Sequence, residues 1–127
     1  MEVVLTNMCM VYKGDQILVQ NRVKKTWPGL TFPGGHVEKD EDHIKSIIRE
    51  VKEETGLTLL EVEQVGFIEW FDEKTQVRDL CLLYRSSSFV GELTSSSEGE
   101  VFFINKEDLH KYPFSTDFDK VLEICMK

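Results

Sequence analysis

Glu50, Glu53 and Glu54 carry the densest carboxylate chemistry of the chain, set inside a stretch with a helical pattern. Residues Asp40 to Thr55 read as one helix: Asp40 or Asp42 can cap its start, and Gly56 stands where a left-handed C-terminal glycine belongs. Ile44, Ile47, Ile48 and Val51 fall at i, i+3, i+4 and i+7 and form a buried stripe. With Ile44 as the zero of a helical wheel, Glu50, Glu53 and Glu54 lie near about 240°, 180° and 280°, on one arc beside that stripe. Arg49 precedes Glu53 by four residues and can pair with it. Clustered carboxylates repel unless a cation sits among them, and hard oxygen ligands of this kind suit Mg²⁺ or Mn²⁺. Taken alone, the same three glutamates read more simply as a solvated acidic helix face.

The surrounding residues change that balance. Gly35, Glu41, Arg49, Glu50, Val51, Glu53, Glu54, Gly56 and Leu57 stand at the spacing of the Nudix box, with a glycine and a glutamate framing five residues and REVKEETGL following seven later. The fixed Gly, Glu and Arg positions would recur by chance about once in 10⁹ registers at ordinary residue frequencies. The chain therefore resembles the Nudix hydrolases, over a box running from Gly35 to Leu57. The resemblance implies an α/β fold, a Nudix-type α/β/α sandwich with a mixed β-sheet between helices. It implies Glu50, Glu53, Glu54 and the Gly34 carbonyl as metal ligands, Arg49 and Glu41 as residues orienting those carboxylates, and Val51 and Leu57 as core. The implied chemistry is attack of a metal-activated water on a phosphorus of a diphosphate bridge, with Mg²⁺ or Mn²⁺ as cofactor. Glu53, Glu54 and Arg49 are then the catalytic set.

Outside the box, the stretch Trp27 to Glu38 resembles the approach to the box in the MutT-like branch, which removes oxidised nucleotides. Ser96 to Phe103 resembles an acidic loop and strand of that branch, so Glu98 or Glu100 is a further catalytic candidate, against the plain alternative of an acidic surface loop. Asp72 stands where the ADP-ribose branch carries a proline, and Lys74 where dinucleoside polyphosphate enzymes often have a tyrosine. By this resemblance the expected reaction is hydrolysis of a (d)NTP or an oxidised dNTP such as 8-oxo-dGTP to the monophosphate and pyrophosphate. Alternatives are another nucleotide derivative as substrate, or a module that senses a nucleotide without cleaving it. Arg22 resembles a phosphate-contacting arginine of the family, with Lys24 and Lys25 as lesser candidates. Trp27, Phe32, Phe71 and Phe118 are candidates for the face against a base, although most aromatic side chains are core. Asp117 is a candidate edge reader, where MutT-like proteins often have asparagine. His36, His43 and His110 lack metal-ligand spacing and read as surface residues.

These groups need a scaffold, and the length of 127 residues suits a single domain over 1–127. Strands are expected over Val3–Tyr12, Gln16–Arg22, Thr58–Phe71, Val77–Phe89 and Val101–Ile104. Thr31-Phe32-Pro33 is expected to be extended, and Lys24 to Leu30 to form a loop. Lys106–His110 reads as a helical turn and Ser115–Met126 as a closing helix. Ser86–Ser88 and Ser95–Ser97, flanking Gly91, mark polar loop regions. Hydrophobic residues at 41% and charged residues at 30% describe an ordinary globular chain. A net charge of −8 argues against nucleic-acid polymers, whose phosphates call for a basic surface, but admits a small anionic nucleotide if a cation offsets the local charge. No apolar run is long enough to span a bilayer. No leader peptide is evident, and Cys9, Cys81 and Cys125 have no CxxC spacing. These features predict a cytoplasmic protein with reduced thiols and no membrane partner. The resemblance leaves monomer and homodimer equally open.

Overall fold

In the computed structural model, which describes Met1 to Lys127, seven strands and two helices follow in the order β1 (Glu2–Lys13), β2 (Gln16–Arg22), β3 (Gly29–Thr31), β4 (Gly34–His36), α1 (His43–Thr55), β5 (Leu57–Asp72), β6 (Val77–Gly91), β7 (Gly99–Asn105), a 3₁₀ turn (Lys106–Lys111) and α2 (Phe118–Cys125). The main path of the sheet is β3-β2-β1-β6-β5, with β4 added to β1 and β7 to β2. β1 runs parallel to β6 and antiparallel to β2 and β4, so the sheet is mixed. No helix is long and apolar enough to cross a membrane.

Alternation along the strands puts apolar side chains on both faces of the sheet. Cys9, Val11, Leu18 and Tyr84 point to one side, where Ile47 and Val51 of α1 cover them. Met10, Ile17, Val19 and Leu83 point to the other, where Phe118, Val121, Leu122 and Cys125 of α2 cover them. One helix over each face is the sandwich the resemblance implied. Of the isoleucine stripe, Ile47 is fully buried, while Ile44 and Ile48 pack at the margin of the same cluster.

Of the two caps the sequence offers for helix α1, Asp40 and Asp42, the later one is used. Asp42 is extended (φ −76°, ψ 162°) and its side chain accepts from the Lys45 N–H at 2.8 Å, so it is the cap and His43 the first helical residue. Gly56, at φ 82°, ends the helix in the left-handed conformation, and its N–H returns to the Lys52 carbonyl. Helix α2 is also shorter than expected: Ser115 is tied back to the Leu30 carbonyl, Asp117 turns left-handed at φ 62°, and the helix begins at Phe118. Ser86–Ser88 are not loop residues but part of β6, where the Ser86 hydroxyl donates to the Glu61 carbonyl beside register shifts in β5. Gly29 and Leu30, expected in a loop, pair with Arg22 and Asn21 as β3, which itself ends at Thr31.

Candidate active site

β4 is the piece that brings the box to the sheet. Its three residues lie antiparallel to Thr6, Asn7 and Met8 of β1. Asn7 then fastens this strand to the helix: its Oδ1 accepts from the Gly35 N–H at 2.9 Å, and its Nδ2 donates to the Ser46 hydroxyl of α1 at 2.9 Å. Asn7 was not among the residues singled out in the sequence. A buried polar side chain inside an otherwise strand-like apolar run is the signal that marks it.

Above this joint, Gly35 leaves room for the Glu50 carboxylate, since a Cβ there would lie 2.5 Å from its carboxyl carbon. Arg49 grips the acidic groups around it. It donates to both Glu41 oxygens (2.6 and 2.7 Å), to Glu50 (2.9 Å), to Glu53 (3.2 Å) and to the His36 carbonyl (3.2 Å). The guanidinium holds the Glu41 carboxyl down at about 2, and these partners hold Arg49 firmly protonated. Glu54 is different: it is 6% exposed and its Oε1 has no hydrogen-bond partner. Burial pushes its carboxyl up to about 9, aided by a hydrogen bond with Glu50 and by the charges of Glu50 and Glu98, against a weaker opposing contact from the Gly34 backbone.

The expected metal-binding residues are therefore neighbours in part. Glu50 and Glu54 lie together beside Gly34, while Glu53 is mostly exposed and drawn to Arg49. No three acidic, histidine or cysteine side chains form a ready cage. A divalent cation nonetheless fits the donor set. A buried carboxylate oxygen without a partner, next to a second carboxylate, is a group that a cation would satisfy and ionise. Of the acidic-loop pair, Glu98 is held by Arg22 at 3.2 Å and Lys24 at 2.8 Å, close enough for its charge to act on Glu54. Glu100 is exposed on β7 opposite Asn21.

Next to this cluster, and sharing Gly34, Gly35 and His36 with it, opens a cleft of about 220 Å³ whose walls include Arg22, Trp27 and Phe32. Trp27 stands edge-on to Trp70 with ring centres 5.0 Å apart. Arg22 fixes this wall by donating to the Thr26 and Trp27 carbonyls, both at 3.0 Å. Asp117 reaches the cleft only indirectly, since its carboxylate accepts from the Trp70 indole N–H at 2.7 Å. Phe118 does not line the cleft: it is 1% exposed and packs edge-on between Phe32 and Phe114, because the first turn of α2 needs an apolar anchor in the core. Phe71 is outside as well, exposed beneath the Arg78 guanidinium. Gln20, Trp70 and Asp79 line the cleft without having been singled out in the sequence. Trp70 and Asp79 come from strands adjacent in space but separated in sequence from the box, so no local spacing reveals them. His36, read from the sequence as a surface residue, is exposed but sits on the rim of this cleft.

Arg49→Lys tests the positioning role of the guanidinium. A lysine keeps one charge but cannot fork between Glu41 and Glu50. The expected result is a loss of roughly 10- to 100-fold in kcat with KM little changed and an unaltered circular dichroism spectrum. A variant with wild-type kcat would show that Arg49 only decorates the helix.

The profile described as NUDIX domain matches residues 4–123. An uncharacterised Nudix hydrolase of Bacillus subtilis is 24% identical over 123 residues, covering 94% of this chain and 77% of that protein. An ADP-ribose pyrophosphatase of Methanocaldococcus jannaschii is 27% identical over 120 residues, covering 93% of this chain and 70% of that protein. In three dimensions, the crystal structure of a MutT Nudix hydrolase from Burkholderia pseudomallei superposes with a TM-score of 0.86 at 19% identity, covering 98% of both chains, a likeness of fold.

Proposed function

Because the chain belongs to the Nudix family, hydrolases of nucleoside diphosphate derivatives, we propose that it is a divalent-cation-dependent nucleoside triphosphate pyrophosphohydrolase releasing the monophosphate and pyrophosphate. The observation that carries this reading is the unpartnered, buried Glu54 oxygen beside Glu50 and Gly34, the glycine that also lines an aromatic cleft. Glu50, Glu53, Glu54 and the Gly34 carbonyl would hold Mg²⁺ or Mn²⁺. Such a cation supplies neutralisation of phosphate oxygens and a more acidic water.

The chain's own groups do the rest. Arg49 and Glu41 keep Glu50 in place. Arg22 and Lys24, at present paired with Glu98, are the cations that meet phosphate. Each phosphate contact they make leaves Glu98 freer to turn toward Glu54, so of the two acidic-loop residues we assign Glu98 to proton transfer from the attacking water. Trp27 and Phe32 supply apolar surface against a base. Oxidised deoxynucleotides such as 8-oxo-dGTP belong to the substrate class of this reading.

A second reading is cleavage of an ADP-ribose-type derivative, favoured by the name of the relative from Methanocaldococcus jannaschii. A panel of nucleoside triphosphates, 8-oxo-dGTP, ADP-ribose and nucleotide sugars, assayed with Mg²⁺ for pyrophosphate against phosphate and monophosphate products, separates the two. Pyrophosphate release from a triphosphate is the expected result. Turnover of ADP-ribose alone would replace the first reading with the second, and nucleotide binding without any hydrolysis would make the protein a sensor.

A further inference from the structure

Three residues other than glycine take a positive φ: Trp27 (61°), Gln76 (60°) and Asp117 (62°). That conformation is uncommon and strained for most side chains, so each instance calls for a cause. Gln76 has a local one: it closes the turn between β5 and β6, where its N–H returns to the Asp72 carbonyl at 2.8 Å. The other two are far apart in sequence and meet on one feature, the pair of tryptophan rings in the cleft. Trp27 is one of these rings. Asp117 holds the other: its Oδ2 accepts from the Trp70 indole N–H at 2.7 Å, and the rings stand 5.0 Å apart at 75°.

Asp117 forgoes a helix cap in making this contact. It stands directly before α2, as Asp42 stands directly before α1. Asp42 is extended and caps its helix with its carboxylate. Asp117 is left-handed and makes no side-chain cap bond; its oxygens go instead to Trp70 and, at 3.5 Å, to Lys120. The formation of α2 does not account for that arrangement, whereas the needs of Trp70 do. β5 is the last strand on its side of the sheet, so Trp70 has a strand partner on one side only, Asp79 of β6. Its half-buried ring packs on the core under α2 and also lines the cleft. The indole N–H is the one polar group of that side chain, and a carboxylate is a strong acceptor for it. A ring bonded at that nitrogen keeps one rotamer out of several. Arg22 braces the other ring through the Thr26 and Trp27 carbonyls. The aromatic corner is thus held from β2 on one side and from the start of α2 on the other.

We propose that Asp117 is a positioning residue for substrate binding: it does not read the edge of a base but holds the Trp70 indole edge-on to Trp27, and so sets the aromatic corner of the cleft against which the base packs. This rests on the nucleotide substrate proposed above. A ring surface that is already ordered loses no further freedom when a planar base arrives, so Asp117 strengthens binding without touching the ligand. The phosphates, which meet Arg22 and Lys24, are outside its influence.

Asp117→Gly and Asp117→Asn separate the acceptor from the backbone, because glycine and asparagine both tolerate the left-handed conformation. Glycine removes the acceptor, and asparagine keeps one in its amide oxygen. The test is calorimetric titration of wild type and both variants with GMP, AMP and pyrophosphate, with near-ultraviolet circular dichroism of the two tryptophans recorded before nucleotide is added. Asp117→Gly is expected to bind the nucleotides about 10-fold more weakly and pyrophosphate within about 3-fold of wild type, with a reduced tryptophan signal. Asp117→Asn is expected to stay within about 3-fold of wild type for all three ligands, with the tryptophan signal retained. In a Trp70→Phe background, where no N–H is donated, Asp117→Gly is expected to change nucleotide affinity by less than about 2-fold. Wild-type nucleotide affinity in Asp117→Gly, an equal loss for nucleotides and pyrophosphate, a loss in Asp117→Asn as large as in Asp117→Gly, or an undiminished loss in the Trp70→Phe background would each overturn the proposal. If Asp117→Gly does not fold, Trp70→Phe decides in its place, since it deletes the donor, and wild-type nucleotide affinity in that variant would overturn the proposal as well. A wild type that binds neither nucleotide removes the role of Asp117 together with the nucleotide reading. A wild type that binds and hydrolyses nucleotides, with Asp117→Gly indistinguishable from it, sinks the role of Asp117 alone.

Discussion

Glu54→Gln is expected to lower Mg²⁺-dependent hydrolysis by at least about 10²-fold, because losing a ligand costs more than losing a residue that merely orients one. The fold is expected to be unharmed, and the reason lies in the state of the carboxyl. Without a cation Glu54 is held at about 9, so at pH 7 it is neutral in the folded chain and ionised in the unfolded one. A carboxyl raised on folding contributes fully below its ordinary value and loses that contribution as pH rises from about 4.5 towards 9. Glutamine keeps the neutral shape and removes this pH-dependent loss. The metal-free variant should therefore unfold at the wild-type temperature or above it at pH 7 to 8. Added Mg²⁺ should raise the melting temperature of wild type, since it binds only the folded chain, and should leave that of Glu54→Gln unchanged. Glu53→Gln completes the comparison: its carboxylate is mostly exposed and carries one contact to Arg49, so stability should not move while turnover falls. Equal Mg²⁺-dependent rates for wild type and both variants would sink the metal assignment.

The part of the site that was legible in the sequence is the part that one helix carries. Spacing along α1 put Ile47 and Val51 on one side and Glu50 and Glu54 on the adjacent arc, and both pairs lie where that spacing puts them. Local chemistry also marked the ends of strands, because turns such as Lys13-Gly14-Asp15 depend on near neighbours only. The first residue of each helix was less legible. It depends on which of several capping residues wins, and for α2 on Ser115 being captured by the Leu30 carbonyl across the fold. The cleft was the least legible part. Trp70, Gln20 and Asp79 are brought to it by pairings between distant strands and Trp27 by the loop after β2, while Phe118 is buried as the anchor of α2. A count of aromatic residues cannot say which of them a sheet will turn toward solvent-filled space and which toward a helix.

Two adjacent glycines separate the scaffold from the chemistry, and their alanine variants are expected to fail in opposite ways. A Cβ at Gly34 would stand 2.0 Å from the Asn7 carbonyl oxygen and 2.8 Å from the Met8 Cα, both backbone atoms of β1. Neither can yield without parting β4 from β1. Gly34→Ala should therefore cost about 2–3 kcal/mol, seen as a melting temperature lower by roughly 8–15 °C. At Gly35 the Cβ would meet only the carboxylate of Glu50, at 2.5 to 2.7 Å, the free end of a flexible side chain. Glu50 can swing aside, so Gly35→Ala should fold with nearly wild-type stability. The displaced carboxylate would lie on the order of 1 Å from its place between Arg49 and Glu54, and a misplacement of that size can cost roughly 10²-fold in rate. Thermal melts and Mg²⁺-dependent rates measured on the two variants side by side check both halves. A stable Gly35→Ala protein with full activity would remove Glu50 from the catalytic site, because its carboxylate would have moved without consequence. A Gly34→Ala protein as stable as wild type would show that β4 does not depend on this close approach to β1, and the seating of the box on the sheet would need another cause.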